Sequence, residues 1–291
     1  MLFLFKYIVV IFFGFIYSTF SIVAVDLSNG QVGSAGASCI GGSIIISDIH
    51  PGVGAIHTQS YWSGYNQIMA SNLMDSGLSP DEIIDYLIEN DVNNNPSIRQ
   101  YGVVDIYEGG RSAAYTGENC MDYKNHILGT NYAIQGNILL NEQVLMNIEN
   151  NFNATIGTLS DKLMAALQGA NMPGADSRCL DNETSSLSAF IRVAEPFDEA
   201  DDFFLDLNIN NTNNSQEPID LLQDLYNEWL NEQDSLGDIS GDGILNISDL
   251  IIIIDFILEG LFDENGDMNF DGGLNIQDII LVLNIILTER N

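Results

Sequence analysis

The sequence predicts an α+β protein, with a large layered domain of sheets and helices followed by a small all-α module. Three observations lead there. Two blocks of short strands are each followed by a pair of helical segments, which fits stacked layers better than a parallel doubly wound sheet. A twelve-residue acidic loop followed by an apolar helix occurs twice near the C-terminus. The 291 residues leave room for one substantial core and one small unit.

The chain begins with a segment that reads as a secretory signal over residues 1–18. Lys6 is its only charge, and the apolar run from Tyr7 to Tyr17 ends at the small residues Ser18 and Thr19. That run is too short to cross a bilayer comfortably and polar residues follow it closely. The expectation is a secreted, extracellular or cell-surface protein.

Phe20 to Val25 reads as a strand, Asp26 to Gly30 as a turn, and Gln31 to Ser38 as a return strand of small residues. Ile44 to Ile46 and Val53 to Thr58 are expected to extend the sheet. Two helices follow. The second is marked by Ser79 as N-cap, Pro80 at its first position and Glu82 completing a capping box, with Ile83, Ile84, Leu87 and Ile88 on one face. A second strand block runs through Tyr101–Asp105, Ala113–Thr116 and Tyr132–Gln135. Helices follow at Asn141–Phe152 and Ser160–Gln168. Strands at Ser188–Val193 and Phe203–Ile209 precede a helix from Ile219 to Leu230. The Asn-rich stretch Asn208–Gln216 reads as a surface loop, residues 231–236 as a linker, and the small module as 237–291.

The charge is strongly one-sided: 41 Asp and Glu against 8 Lys and Arg, a formal net charge of −33. Such a surface repels phosphate backbones and anionic lipid, which argues against nucleic-acid and membrane-surface partners. Part of the acidity is local: from Gly237 onward there are 11 acids and a single basic residue, Arg290. Three cysteines, Cys39, Cys120 and Cys179, in an exported chain imply one disulfide and one free thiol, with the pairing open. The three histidines lack any zinc-site spacing; His57 falls in a strand beside Thr58-Gln59, while His50 and His126 read as loop residues. Walker, dinucleotide and Gly-x-Ser-x-Gly motifs are missing, and no carboxylate pair is spaced for glycoside chemistry.

A calcium loop of the EF-hand type places oxygen donors at positions 1, 3, 5, 7, 9 and 12, with Gly at 6. The first copy supplies Asp238, Ser240, Asp242, the Ile244 carbonyl, Asn246 and Asp249, with Gly243 at the turn. The second supplies Asp267, Asn269, Asp271, the Gly273 carbonyl, Asn275 and Asp278, with Gly272 at the turn. Two structural Ca2+ ions are therefore expected. The twelfth donor is Asp and only one helix follows each loop. In this the segment resembles dockerins, which implies docking to a cohesin-like module or a cell-surface scaffold. It departs from the cellulosomal pattern at loop positions 10 and 11, here Ile247-Ser248 and Ile276-Gln277.

The region from Thr19 to about Trp229 carries Thr19-Phe-Ser-Ile-Val-Ala24, Gly30-Gln-Val-Gly33, Pro51-Gly-Val-Gly-Ala55, Arg99-Gln-Tyr-Gly-Val-Val-Asp105, Tyr132-Ala-Ile-Gln-Gly-Asn137 and Gly174-Ala-Asp176 with Arg178. On these motifs it resembles the DUF1028 family, here taken as residues 19–230. The resemblance implies a four-layer αββα sandwich of the N-terminal-nucleophile (Ntn) hydrolase type, and makes a homodimer plausible.

The chemistry can be argued directly. A hydroxyl at a chain's N-terminus carries its own base, the α-amine, whose reference pKa is about 7.7–8.0. Signal cleavage after Ser18 would make Thr19 such a nucleophile, acting on a small amide or peptide bond. Asn137 is the candidate oxyanion donor, Gln59 and Ser38 candidates for orienting substrate or amine, and Asp176 with Arg178 for an orienting ion pair or a carboxylate grip. Other classes remain in view: a non-catalytic binding or assembly protein of the same fold, or an accessory of extracellular polysaccharide degradation.

Overall fold

The computed structural model describes residues 19–200, 202–213, 215–241 and 243–288. The expected signal segment 1–18, the expected ligand Asp242 and Arg290 lie outside these residues. The chain divides into two compact units, one up to Gln223 and one from Asp224.

The first unit is a mixed α+β domain built on two antiparallel sheets. Its elements are β1 (Phe20–Asp26), β2 (Gln31–Ser38), β3 (Ser47–His50), β4 (Gly54–Ser60), α1 (Gly64–Asp75), α2 (Pro80–Glu89), β5 (Arg99–Asp105), β6 (Arg111–Thr116), β7 (Asn125–Gly129), β8 (Tyr132–Gly136), α3 (Gln143–Ala154), α4 (Leu159–Gly169), β9 (Ser188–Ala194) and β10 (Leu205–Ile209). One sheet has the order β10-β9-β2-β1-β8-β7 and the other β3-β4-β5-β6. Helices α3 and α4 pack on the six-stranded sheet, and α1 and α2 on the four-stranded one.

Strand alternation decides what each face buries. In β1, Val23 and Val25 turn toward the other sheet and cluster with its Ile49, Ala55 and Val104 and with Val32, Ala133 and Ala194 of their own sheet. In β5, Tyr101 and Val103 turn outward and join Ile56, Ala70, Met74, Ile83 and Leu87 beneath α1 and α2. Each such large side chain taken fully from water contributes about 1.5–3 kcal/mol. The all-small strand β2 has its reason here: a β-carbon at residue 33 would collide with Leu163 of α4, so the helix can lie close only because Gly33 has none. The Ser79–Glu82 capping box forms as its spacing predicts, and Ser79 also receives Pro80 at the helix start.

Three local expectations are corrected. Ile44–Ile46 is not a strand but part of a 3-10 turn, Ser43–Ile46, because Gly42 at φ 79° opens a turn that β-branched propensity alone cannot override. His126 lies in a strand, β7, whose short edge position blurs the inside-outside alternation that would have revealed it. His50 closes β3 and is not in a loop.

The second unit contains α6 (Ile247–Glu259) and α7 (Ile276–Thr288); α5 (Pro218–Ser235) runs across the division between the units. The expected linker 231–236 is therefore mostly the last turn of α5. No Gly or Pro follows Pro218 until Gly237, so nothing in the chain ends the helix earlier. The core of this unit is small: Ile253, Val282 and Ile286 are buried, with Ile239, Leu245, Leu250, Ile257, Met268 and Ile279 packed against them.

Candidate functional site

The layer between the two sheets of the first unit is divided in two. One half is the apolar cluster around Val23 and Val104. The other is largely polar, because the same inward alternation continues as Ser21 in β1 and Thr19 just before it, Ser34 and Ser38 in β2, His57 and Gln59 in β4, Gln100 in β5, and Gln135 in β8 with Asn137 just after it; Phe190 packs edge-on to His57 among them. All of these side chains are buried. Register then brings three of them abreast. Phe20 pairs with Ala37 on one side and Gly136 on the other, so one residue further Thr19 stands between Ser38 and Asn137. The Asn137 N–H donates to the Thr19 carbonyl at 3.1 Å.

Buried polar groups must find partners, and here most find one another; Gln135 Oε1 has none among the described residues. Gln59 Nε2 donates to the Thr19 carbonyl at 3.3 Å and to Gln100 Oε1 at 2.8 Å, while Gln59 Oε1 accepts from Ser21 Oγ at 2.7 Å. Asn137 Nδ2 donates to the same Gln100 Oε1 at 3.0 Å. Gln135 Nε2 lies 2.7 Å from Ser21 Oγ and 3.0 Å from His57 Nδ1. His57 Nε2 is 2.6 Å from Ser34 Oγ, which donates on to Ser47 Oγ at 2.8 Å. Burial lowers the His57 pKa to about 3, so the imidazole is neutral and can accept at Nδ1 while donating at Nε2.

A third wall comes from the turn after α4. Asp176 is fully buried and accepts the Cys39 N–H at 2.8 Å. It also takes a paired contact from Arg178, Nε to Oδ1 at 3.0 Å and Nη2 to Oδ2 at 2.8 Å. Arg178 Nη2 lies 3.5 Å from Ser38 Oγ. A disulfide between Cys39 and Cys179 fastens this turn to the end of β2, which settles the pairing that sequence left open. Cys120 is the free thiol, buried, and burial pushes its pKa up.

All six residues singled out by sequence thus lie around one point: Thr19, Ser38, Gln59, Asn137, Asp176 and Arg178. Sequence reasoning missed Gln100, Ser21 and Gln135. The available signal was a polar residue on the inward parity of an otherwise apolar strand, as with Gln100, Gly102 and Val104 in β5. Gly102 also has a reason, since a β-carbon there would collide with Gln135 Oε1. His57 belongs to the polar layer, whereas His50 lies elsewhere, bonded to Asp75 at 2.7 Å. Asp105 and Arg111 form an ion pair at 2.6 Å at the opposite end of β5 from Gln100, a structural pair.

In the second unit the two loops share several hydrogen bonds. The position-6 N–H of Gly243 and of Gly272 donates to the position-1 carboxylate, Asp238 at 2.6 Å and Asp267 at 2.9 Å. Both glycines have positive φ, 77° and 84°, which is why position 6 is glycine. The N–H of Asn246 and of Asn275 donates to the position-12 carboxylate, Asp249 at 2.9 Å and Asp278 at 2.8 Å. Asp238, Asp249, Asp267 and Asp278 are all buried, in a segment with one basic residue. Among the described residues no ion pair involves Asp249, Asp267 or Asp278. Buried carboxylates without counter-charge are costly, and an all-oxygen donor set fits a hard divalent cation. Among the described residues, however, no three His, Cys, Asp or Glu side chains converge as a metal-holding group. Asp271 is turned to Asn269 Nδ2 at 3.0 Å, Asn275 Nδ2 at 3.2 Å and the Gly273 N–H at 3.0 Å.

Fold and site together define an α+β protein of two facing antiparallel sheets with a polar cluster around the start of its central strand. The chain belongs to the DUF1028 family, a family of unknown function, whose model matches residues 19–222. A crystal structure of a DUF1028 protein from Silicibacter pomeroyi superposes with a TM-score of 0.60 at 23% identity, covering 72% of this chain and 88% of that one; the likeness is one of fold. Anbu, an ancestral beta-subunit from Yersinia bercovieri, aligns over 72% of this chain and 94% of its own at 14% identity and a TM-score of 0.35. No curated protein matches the chain significantly.

Proposed function

We propose that this protein is an exported Ntn-type hydrolase of small amide or peptide bonds, with Thr19 as nucleophile, held to a partner by a calcium-dependent dockerin-like module. One observation carries the catalytic part: the buried polar half of the inter-sheet layer converges on Thr19 at the end of the central strand. Departures from a consistent apolar interior are expected at functional sites, and a dense network of buried amides and hydroxyls is such a departure. Helix pairs on the outer face of each sheet support the αββα layering.

Once cleavage frees residue 19, its α-amine accepts the proton as Thr19 Oγ attacks the substrate carbonyl. The carbonyl oxygen becomes an oxyanion beside the Asn137 amide. The amine then returns the proton to the departing nitrogen as the C–N bond breaks, and water resolves the acyl-enzyme by the same path. Asp176 and Arg178 hold the end of β2 and offer a cation to a substrate carboxylate.

For the C-terminal module, the buried carboxylates Asp249, Asp267 and Asp278, which make no ion pair among the described residues, support two structural Ca2+ ions, with the twelve donors named from sequence as ligands. Its partner surface is apolar. Ile247, Ile251 and Leu258 on α6 and Ile276, Ile280 and Leu287 on α7 are exposed, which favours a cohesin-like or scaffold partner with a complementary apolar face.

Mass spectrometry of the exported protein is expected to find Thr19 as its first residue; any other start sinks the nucleophile. Thr19→Ala should reduce hydrolysis across a panel of chromogenic amides by at least ~10³-fold, with the melting temperature nearly unchanged.

A further inference from the structure

We infer that Gln100 is a positioning residue for this chemistry: its side-chain carbonyl fixes the plane of the Asn137 amide and seats Gln59 on the Thr19 carbonyl. The inference rests on Thr19 being the nucleophile. Gln100 Oε1 is an acceptor shared by two amides beside the reacting residue, Gln59 Nε2 at 2.8 Å and Asn137 Nδ2 at 3.0 Å.

Its own orientation is fixed from the far side. Gln100 Nε2 is within reach of three acceptors: Thr116 Oγ1 at 2.9 Å and the carbonyls of Asn125 at 3.1 Å and Gly136 at 2.9 Å. Two of these are carbonyls, which can only accept. A flipped Gln100 would set its oxygen against them, so the side chain has one workable orientation. Its oxygen is thereby committed to Gln59 and Asn137. The carboxamide of Asn137 is planar, so holding one N–H on Gln100 fixes the direction of the other. Gln59 is fixed as firmly, since Ser21 Oγ donates to its oxygen and Gln135 in turn holds Ser21. The chain of donors passes through neutral His57, whose Nδ1 is an acceptor for Gln135 and whose Nε2 faces Ser34 Oγ. Every link therefore has one polarity, and Gln100 is where the chain meets Asn137.

An oxyanion donor works when its direction is set before charge develops, and small misplacements are expensive in rate while leaving binding nearly alone. The test uses the exported full chain and a β-lactone probe. Thr19 Oγ adds to the lactone carbonyl, the ring C–O bond breaks, and the α-amine carries the proton to the released alkoxide. Intact-mass kinetics gives kinact and KI without a known substrate. Gln100→Met, which keeps the volume and removes the acceptor, is expected to lower kinact about tenfold with KI within about twofold. In an Asn137→Ala background the same change should cost less than about twofold, because Gln100 acts through Asn137. An unchanged kinact, or an equal loss in both backgrounds, overturns the inference while leaving the nucleophile standing. Wild-type protein that is not acylated, or a Thr19→Ala variant labelled equally fast, overturns the nucleophile and the inference together. Should Gln100→Met fail to fold, Thr116→Val loosens Gln100 from its exposed side. It is judged by the same two criteria with about a threefold loss expected.

Discussion

The two units of this chain solve the problem of buried polarity in opposite ways. The first unit has apolar clusters on the outer face of its four-stranded sheet and in half of the inter-sheet layer, and holds a polar interior whose members bond mainly to one another, with Gln135 Oε1 left unpaired among the described residues. The second buries four carboxylates over a small apolar cluster of Ile253, Val282 and Ile286 among the described residues. Small units with so little core generally need a metal or a covalent staple. The lesson is that buried polar groups are met differently in the two places: in the first mainly by one another, and in the second, on the calcium reading proposed above, by a cation.

The sharpest way to break that contrast is chelation. In calorimetry of the full chain, EDTA is expected to abolish a transition belonging to the C-terminal module and leave the larger transition of the first unit in place; two unmoved transitions would refute the metal requirement. The next effect is acid sensitivity of the first unit. His57 has a folded pKa of about 3 against an ordinary 6.5. The unfolded chain therefore binds the proton more readily, and stability present above pH ~6.5 falls as pH drops toward 3. The loss is at most about 4–5 kcal/mol over that interval. Urea titrations from pH 7 to 4 should show a flatter slope in His57→Gln; identical slopes would mean that this imidazole does not titrate with folding.

Loss of the Cys39–Cys179 disulfide, which closes a sequence separation of 140, should cost about 3–4 kcal/mol in Cys39→Ser/Cys179→Ser. The chelator-sensitive transition should stay where it was. The smallest effect is Ser79→Ala, which removes the N-cap of α2 and should lower the stability of the first unit by about 1 kcal/mol by denaturant melts.

How much was legible in sequence varied with the range of the interaction involved. The capping box at Ser79 was readable because all its parts lie within four residues. So were the strands Phe20–Val25 and Tyr101–Asp105 and both acidic loops, whose glycines are demanded by local φ. Ile44–Ile46 was misread because three β-branched residues outvoted the glycine before them. His126 was misplaced because an edge strand of five residues carries little periodicity. Thr19, Asn137, Gln59, Ser38, Asp176 and Arg178 were named singly, yet their convergence was not visible. It arises from pairings such as Ser21 with Gln135, between strands far apart in the chain. Gln100 went unnoticed because a lone glutamine in a strand looks the same on a solvated face as between two sheets.

By itself the sequence determined the local conformations, the repeat of the two oxygen-rich loops, and which residues of each strand share a face, since all of these depend on neighbours within a few positions. Only the tertiary structure decided which strand faces look at each other, which cysteines meet, and that the inward polar residues form one hydrogen-bonded chain ending at Thr19. The physical reason is that alternation fixes parity but not partner: a residue's cost or use when buried depends on the side chain it meets across the layer, and packing alone supplies that.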